Sequence, residues 1–432
     1  MQRFSFGILF LAALYVSAGA NATPELLAAS APTAASSVSA ATTPVLAAEL
    51  PPPVPDHPAP HIALLLPLKS PAFAHAAEIV QQGFSIAANV QQGLPVRVYA
   101  STDEAREVVA LYRQAVANGA LAVAGPLTRN GVMALANYSG ITIPTLALNI
   151  TEPPKEASKL YFFGLPAENE ARQIAQLAME SELHDATIVS TGTPISKRLA
   201  AAFAEEWKRL GGNITAEVLF TGDFSALTKL PVAPWPEGTE PKPASAVSAT
   251  GEPINSRPTA PPIAPGNLAF LAAEHDKARL IRPYLNPTLP VYATSQLFVG
   301  NNNKLENFDL NEVHFVDMPW LLQPDHPAVM IYPRSETPLS SEMDRFYALG
   351  IDAYRLVYIL LSNNANAVLP LDGVTGRISL DKQQFLREPA PAFFRQGMGL
   401  TKETLAALNA AKAAATAAKQ TESGSTEPLP AK

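Results

Sequence analysis

Short apolar runs alternate with amphipathic stretches along residues 61–163. The first run, residues 62–66, is uninterrupted, which favours a strand buried on both faces of a parallel sheet. After Pro67 the apolar period lengthens to nearly four residues, and this predicts a helix over 74–90. The alternation continues in the same way. It predicts strands at 96–100, 121–124, 143–148 and 160–163, with helices at 103–118 and 129–138.

A second series of the same plan begins near residue 167. It predicts helices at 167–181, 195–210 and 275–283, and strands at 186–190, 214–220, 268–272, 291–293 and 313–316. Two helices, 338–348 and 350–363, follow this series. A hairpin-like segment at 376–381 and a closing strand at 392–396 complete the globular part.

Two successive series of strands and helices predict an α/β protein with two doubly wound lobes. We assign residues 61–166 to the first lobe, with about 317–365 returning to it. The second lobe takes 167–316, with about 366–398 returning to it. Lobes joined by several crossovers favour a bilobal type I periplasmic-binding-protein-like fold. Two independent Rossmann-like domains are the alternative.

The 41 prolines cluster outside these series. Residues 23–60 and the insert 231–266 are too rich in proline and too polar to bury a core, so we expect a disordered linker and a disordered loop. In the tail, 399–432, we expect a frayed Ala-rich helix over 400–419 and disorder elsewhere.

Residues 1–22 have the pattern of a signal peptide. Arg3 precedes an apolar segment, residues 4–16, and small residues at Ala20 and Ala22 fit cleavage before Thr23. An uncleaved membrane anchor is the alternative, although the segment is short for a span. We therefore expect a periplasmic protein.

Charge and cysteine content exclude several classes of function. The net charge of −7 does not support a nucleic-acid-binding surface, which needs clustered Lys and Arg. The sequence has no cysteine, which excludes disulfides and thiolate metal sites. It also leaves no residue for the thioether lipid of a lipoprotein, which argues against that kind of outer-membrane anchoring.

No catalytic motif stands out. The sequence has no P-loop, no nucleophile elbow and no H-E-x-x-H zinc motif. His57 and His61 are four residues apart, but their proline-rich surroundings cannot be helical, so we do not expect a metal site. We expect no cofactor and no enzymatic activity.

The candidate cleft residues follow the predicted strands, where an open α/β sheet presents its site. Their hydroxyls, amides and backbone N–H groups can bind a carboxylate or phosphate. The same groups also cap helices, and we favour that interpretation because no charged pair converges there. The candidates are Lys69, Ser70, Gly125, Pro126, Thr128 and Asn149 in the first lobe, and Thr191, Thr193, Ser295 and Gln296 in the second.

The segment 317–322 has two interpretations. Asp317, Pro319 and Trp320 are candidates for a hinge that crosses between the lobes, with the indole packed in the interface. Proline restricts the backbone and favours such a structural role. The alternative is an exposed apolar patch for a partner.

Several short sequence words over about residues 61–397 occur in family order. They resemble the C-terminal domain of the LpoA (LppC-like) family of penicillin-binding protein activators. The words are residues 62–68 (IALLLPL), 124–127 (AGPL), 143–149 (IPTLALN), 163–165 (FGL), 290–295 (PVYATS), 317–322 (DMPWLL) and 347–356 (YALGIDAYRL). Long members also carry an N-terminal helical-repeat domain and a lipidated cysteine, which this sequence does not match.

The resemblance implies a non-catalytic periplasmic regulator. Its partner would be a class A penicillin-binding protein, a bifunctional peptidoglycan synthase, with peptidoglycan as a further partner. Activation requires different affinities for two states of the synthase. The alternative is a clamp-type receptor for a small molecule such as an amino acid, amide or peptide fragment; a hydrolase or transferase comes third.

Overall fold

The computed structural model describes residues 59–151, 159–239, 262–302, 304–362 and 368–423. The predicted signal peptide and nearly all of the predicted linker 23–60 lie outside these ranges. So do the central part of the insert, 240–261, and the last residues, 424–432.

The elements follow the chain in this order. The strands are β1 (His61–Leu66), β2 (Val96–Ala100), β3 (Ala120–Ala124), β4 (Thr145–Ala147), β5 (Leu160–Phe162), β6 (Asp185–Ser190), β7 (Asn213–Leu219), β8 (Asn267–Ala272), β9 (Val291–Ala293), β10 (Val313–Asp317), β11 (Leu371–Asp372), β12 (Arg377–Asp381), β13 (Gln384–Glu388), β14 (Ala390–Arg395) and β15 (Met398–Leu400). The helices are α1 (Ala74–Gln91), α2 (Ala105–Ala117), α3 (Arg129–Ala136), α4 (Ala167–Glu180), α5 (Pro194–Arg209), α6 (His275–Ile281), α7 (Lys304–Asn307), α8 (Pro319–Leu322), α9 (Pro327–Met330), α10 (Ser341–Leu361) and α11 (Lys402–Ser423).

The first lobe is built on a sheet with the strand order β11-β12-β13-β5-β4-β3-β1-β2. Neighbours from β13 to β2 pair in parallel, and β11, β12 and β13 pair antiparallel. All six residues of β1 are buried. Helices α1 and α10 bury their apolar sides on one face, and α2 and α3 pack on the other. The continuous apolar run of β1 is therefore explained by helices on both faces.

The second lobe repeats this plan. Its sheet has the order β15-β14-β10-β9-β8-β6-β7, with parallel pairing from β10 to β7 and antiparallel pairing at β14 and β15. Helices α4 and α5 bury Ile174, Phe203 and Trp207 on one face. Helix α6 contributes Ala278 and Ile281 to the core on the other face.

The chain crosses between the lobes three times within the described ranges. It leaves the first sheet after β5, returns after β10 to form α10, and leaves again between β13 and β14. At the second crossover, Met318 and Trp320 belong to the core of the first lobe and Leu322 to that of the second. The three crossovers place the segments after β5, β10 and β13 side by side between the lobes.

One predicted break between helices is wrong. The sequence predicts helices at 338–348 and 350–363, but α10 runs without interruption through Gly350. A Cβ atom at Gly350 would overlap the backbone carbonyl of Val80, and one at Gly83 would overlap that of Tyr347. Gly350 therefore allows α10 to approach α1 closely and does not end the helix.

The segment 366–398 divides between the lobes instead of returning to the second as predicted. Strand β13 joins the first sheet, where Phe162 N–H donates to Gln383 C=O at 2.8 Å, and Ile378 and Phe385 enter the first core. Only β14 and β15 join the second sheet. The hairpin stays with the first lobe because its apolar side chains pack into the core at the edge of the first sheet.

The described ends of the proline-rich insert are ordered, contrary to the prediction for 231–266. Pro231 C=O accepts a hydrogen bond from the Thr215 hydroxyl at 3.3 Å, and Ala233 N–H donates to the Asn267 side chain at 2.7 Å. The predicted Ala-rich helix over 400–419 is present in the tail, where it covers 402–423. These residues form α11, whose first turn is capped by the Thr401 hydroxyl.

Candidate functional site

A cavity of about 950 Å³ lies between the two lobes. The second lobe contributes Ser295, Gln296 and 298–302 to its walls. The first lobe contributes the segment from Arg334 to the first turns of α10, together with Arg387 from β13. Leu165, Glu170, Trp320 and Leu321 line it near the first two crossovers. The cavity thus forms where the chain passes from one lobe to the other.

Two ion pairs lie at one wall of this cavity, which Glu170, Arg345 and Arg387 line. Glu170, in the first turn of α4, pairs with Arg387 of β13, and each side chain is only 4% exposed. Asp317, the last residue of β10, pairs with Arg345 of α10, whose Nη2 lies 2.5 Å from Oδ2. We call these four residues the interlobe charge cluster.

The backbone of Ser295 lies between the two pairs. Its N–H donates to Glu170 Oε2 at 3.1 Å, and its C=O accepts from Arg345 Nη2 at 3.0 Å. Arg345 also donates to Phe298 C=O at 2.9 Å. The turn after β9 is therefore held by one acidic and one basic member of the cluster.

Burial shifts the pKa values of the Asp317–Arg345 pair. Desolvation raises the pKa of Asp317, and Arg345 opposes this shift by attraction and hydrogen bonding. Desolvation alone would lower the pKa of Arg345, but the attraction of Asp317 and Glu170 outweighs it. The pKa of Arg345 therefore lies above its ordinary value. Removal of either partner would leave the other charge buried without compensation.

Trp320 is fixed on every side. Its Nε1–H donates to Asp344 at 3.0 Å, its backbone N–H donates to Val374 C=O at 3.0 Å, and its ring stacks near Tyr347. The guanidinium carbon of Arg334 lies 3.7 Å from the ring centroid, and Arg334 donates to Trp320 C=O at 2.7 Å. The indole is fully buried. An exposed apolar patch at 317–322 is therefore excluded for Trp320, and the packing favours the crossover interpretation.

Among the candidate cleft residues, Ser295 and Gln296 line the cavity, and so does the hinge candidate Trp320. Asp317 lies directly behind it in the interlobe charge cluster, and Pro319 is the first residue of α8. The other candidates are absent from its walls. Those are Lys69, Ser70, Gly125, Pro126, Thr128, Asn149, Thr191 and Thr193.

The remaining candidates bond to residues of their own lobe. Lys69 pairs with Glu107 at 3.2 Å, and Ser70 C=O accepts from Ala74 N–H at the start of α1. The peptide between Gly125 and Pro126 is cis, and Asn149 Nδ2 donates to Leu127 C=O at 3.0 Å. Thr128 caps α3, Thr193 caps α5, and Thr191 and Thr193 both donate to Glu274.

Sequence reasoning missed the charged residues of the site. Glu170, Arg334, Arg345 and Arg387 follow no recognisable motif, and the Glu170–Arg387 bond joins residues 217 positions apart. One usable signal is the group of three charged residues within 342–345, at the start of a largely apolar helix. Partners so distant in sequence become visible only when both lobes are folded.

The site can bind through hydroxyl and amide groups. Ser295, Gln296, Asn301, Thr337 and Ser341 line it, while its three arginines already have acceptors within the protein. Across the described ranges, no group of three or more His, Asp or Glu side chains is arranged to hold a metal ion. In the same ranges, every helix is too short or too polar to cross a bilayer.

Two lobes built on parallel-dominated sheets, joined by three crossovers around a cavity, define a type I periplasmic-binding-protein-like fold. The model of the family described as "LppC putative lipoprotein" matches residues 41–396, most of the chain. The chain belongs to this family. The predicted fold and the predicted family are both confirmed.

The curated relatives carry one name. "Penicillin-binding protein activator LpoA" from Pantoea ananatis is 26% identical over 351 residues, which are 73% of this chain and 50% of that protein. The Serratia proteamaculans protein of the same name is 28% identical over 62% of this chain and 41% of its own length. The chain therefore spans about half the length of these relatives.

Solved structures of two differently described proteins have the same fold as this chain. The "LpoA (YraM) C-domain from Haemophilus influenzae, a regulator of PBP1A" has a TM-score of 0.61 at 22% identity, covering 79% of this chain and 99% of that one. A Chromobacterium violaceum protein described as "putative branched-chain amino acid ABC transporter" has a TM-score of 0.62 at 34% identity. That match covers 77% of this chain and 99% of the other.

Proposed function

We propose that this chain is a non-catalytic periplasmic regulator that activates a class A penicillin-binding protein by binding to it directly. The observation that carries the proposal is the family match over residues 41–396, together with curated relatives named as penicillin-binding protein activators. The H. influenzae C-domain supports it further, because it is described as a regulator of PBP1A and is matched over almost its whole length.

The structure suits a regulator that acts by docking. The three arginines at the cavity are occupied by internal partners, so the lining residues within the described part of the chain offer no free cation to polarise a substrate. The two lobes together offer a surface on which a synthase could be held. Activation then follows if the chain binds the active state of the synthase more tightly than the inactive state.

Binding and glycan polymerisation should be measured together with the class A synthase of the same organism. We expect saturable binding by biolayer interferometry and a higher rate of glycan-strand polymerisation over the same concentration range. A monofunctional transpeptidase from that organism is the negative control. Absence of binding, or binding without any change in rate, would remove the proposal.

A periplasmic location of this chain is part of the same proposal. Residues 1–22 would direct export and be removed before Thr23, which places the chain in the periplasm together with the extracellular domains of its partner. Expression of the complete sequence, fractionation of the cell envelope and mass determination of the mature N-terminus test this step. A chain that retains Met1 in the membrane fraction would contradict it. Pull-down with isolated sacculi would test peptidoglycan as a further partner.

A small-molecule receptor is the second candidate function. The 950 Å³ cavity and the 34% identity to the C. violaceum protein favour it. We would expect an amino acid, amide or peptide fragment to raise the melting temperature of the protein. The variant Ser335→Phe narrows the cavity without removing a charge and should reduce the shift, whereas Ser139→Phe, on the exposed surface, should keep it. No shift with any compound would remove this candidate.

A further inference from the structure

Each crossover between the lobes carries one member of the interlobe charge cluster. Glu170 lies just after the first crossover, Asp317 at the second, and Arg387 just before the third. The fourth member, Arg345, comes from α10, which packs against α1 in the first lobe. The four side chains therefore meet where any rotation of one lobe against the other would have its axis.

Both ion pairs of the cluster join one lobe to the other. Arg387 belongs to the first sheet and Glu170 to the second lobe. Arg345 belongs to the first lobe and donates to Asp317 of the second sheet at 3.1 Å and 2.5 Å. Gln173 adds a neutral bond across the third crossover, from Nε2 to Pro389 C=O at 2.9 Å.

These pairs are buried, so their energy depends steeply on geometry. Asp317 is fully buried, Glu170 and Arg387 are 4% exposed, and Arg345 is 13% exposed. A buried pair offsets the loss of hydration only while its hydrogen bonds are well aligned. A change in the angle between the lobes would separate both pairs at once and leave four poorly solvated charges. Every other lobe orientation is therefore disfavoured.

We propose that the interlobe charge cluster is a latch that holds the two lobes in one relative orientation, so that the protein is a fixed two-lobe body and not a clamp that opens and closes. The latch concerns the lobes alone and holds whether or not the chain activates a synthase. The Ser295 backbone, bonded to both pairs, extends the latch to the turn that lines the cavity.

Spin-label distances between the lobes test the latch directly. The sequence has no cysteine, so Glu78→Cys on α1 and Lys208→Cys on α5 provide one exposed labelling site on each lobe. Double electron–electron resonance should give a narrow distance distribution for this labelled protein. The further change Glu170→Gln/Arg387→Met removes both charges of one pair. We expect a wider distribution, with the mean shifted by more than about 2 Å.

Helix α4 supplies the matched control. Glu168 lies two residues before Glu170 and pairs with Arg198 at 3.0 Å, but both residues belong to the second lobe. Glu168→Gln/Arg198→Met removes a Glu–Arg pair from the same helix, with Glu168 10% and Arg198 47% exposed, without touching the contact between the lobes. It should leave the distribution unchanged. Equal broadening in the control would overturn the latch, because the effect would then come from the loss of any ion pair on α4.

A milder variant keeps the test decisive if the double change unfolds the protein. Arg387→Lys keeps a positive charge beside Glu170 but loses the guanidinium bond to Thr375 C=O and the planar geometry of the pair, so no buried charge is stranded and the fold should persist by circular dichroism. We expect broadening smaller than in the double variant. A folded Glu170→Gln/Arg387→Met protein with the parent distribution, or a folded Arg387→Lys protein with the parent distribution where the double variant unfolds, would show that this aligned pair does not hold the lobes.

Discussion

Thr128 and Thr193 show why hydroxyl groups at strand ends are poor evidence for a ligand site. The Thr128 hydroxyl oxygen accepts from Gly131 N–H at 3.2 Å and its proton is donated to Asp103. Thr193 makes the same two kinds of bond, with Ser196 N–H at 3.2 Å and Glu274 at 2.6 Å. Their hydrogen-bonding capacity is used in ordering helix starts, which agrees with the capping interpretation favoured from the sequence.

Replacing Thr128 by valine should therefore affect stability. Thr128→Val keeps the shape of the side chain but removes the cap of α3 and the bond to Asp103, and we expect a loss of about 1–2 kcal/mol in the free energy of unfolding. Urea denaturation measures the loss, with Ser139→Ala, on the exposed surface, as the control. A Thr128→Val protein as stable as the control would rule out the capping role.

Glu107 gives a pH-dependent prediction. Hydrogen bonds from the hydroxyl and then the N–H of Thr102 hold the pKa of Glu107 below its usual value, with a smaller contribution from Lys69. A lowered pKa in the folded state stabilises the protein above the unfolded pKa of about 4.3, and this stabilisation is lost as pH falls through the folded value.

The variant Glu107→Gln should therefore lose about 1 kcal/mol at pH 7, because the site is partly exposed and its ion pair is weak. At pH 3 the difference from the parent should shrink towards zero. Urea unfolding of both proteins at the two pH values measures this. A difference that stays constant with pH would contradict the ionic explanation.

At the scale of elements, periodicity predicted most of the fold. Strands such as 96–100 and 291–293 were placed at their observed bounds because a short apolar run between breakers leaves little choice. The predicted break in α10 was wrong because the role of Gly350 depends on its contact with Val80 of α1. Val80 lies 270 positions earlier in the sequence. The same limit applies to the segment 376–381, which was predicted to be hairpin-like in the second lobe. It holds strand β12 alone, and that strand pairs with β13 in the first lobe.

The close approach of α1 and α10 leads to a prediction for Gly350→Ala. Alanine is the better helix former by about 1 kcal/mol, so an exposed site would gain stability. Here its methyl group would overlap backbone atoms of Val80, which cannot move without displacing α1. We expect a net loss of at least about 2 kcal/mol in urea unfolding. Gln82→Ala, on the exposed side of α1, is the control and should change little; a stabilised Gly350→Ala protein would show that the helices separate easily.

At the scale of the whole molecule, the site arises from the way the lobes share the chain. Three crossovers bring segments near residues 170, 317 and 387 together, and two of these segments add Glu170 and Arg387 to the charged residues that 334–345 supplies to the cavity. Topology predicted Ser295 and Gln296, because they follow a strand of a doubly wound sheet. It could not predict Arg345 or Arg387, since their partners are fixed only by the orientation of the lobes.

The burial of Asp317 leads to a prediction about charge balance. Arg345→Met strands a fully buried carboxylate and should cost about 3–5 kcal/mol, whereas Asp317→Asn/Arg345→Met strands no charge and should be less destabilised. Both proteins lose the bonds to Ser295 and Phe298, so their difference reports the stranded charge.

The same variant should depend on pH in a direction set by burial. Desolvation raises the pKa of Asp317 above its unfolded value of about 3.9, and without Arg345 nothing in this pair opposes the shift. A raised carboxyl pKa gives stability that is present at low pH and lost as pH rises through the folded value. Arg345→Met should therefore be less destabilised at pH 5 than at pH 8 in urea unfolding, while the double variant should show the same loss at both. An equal loss for Arg345→Met at the two pH values would mean that water reaches Asp317 once the arginine is gone, and that the lobes do not exclude solvent on their own.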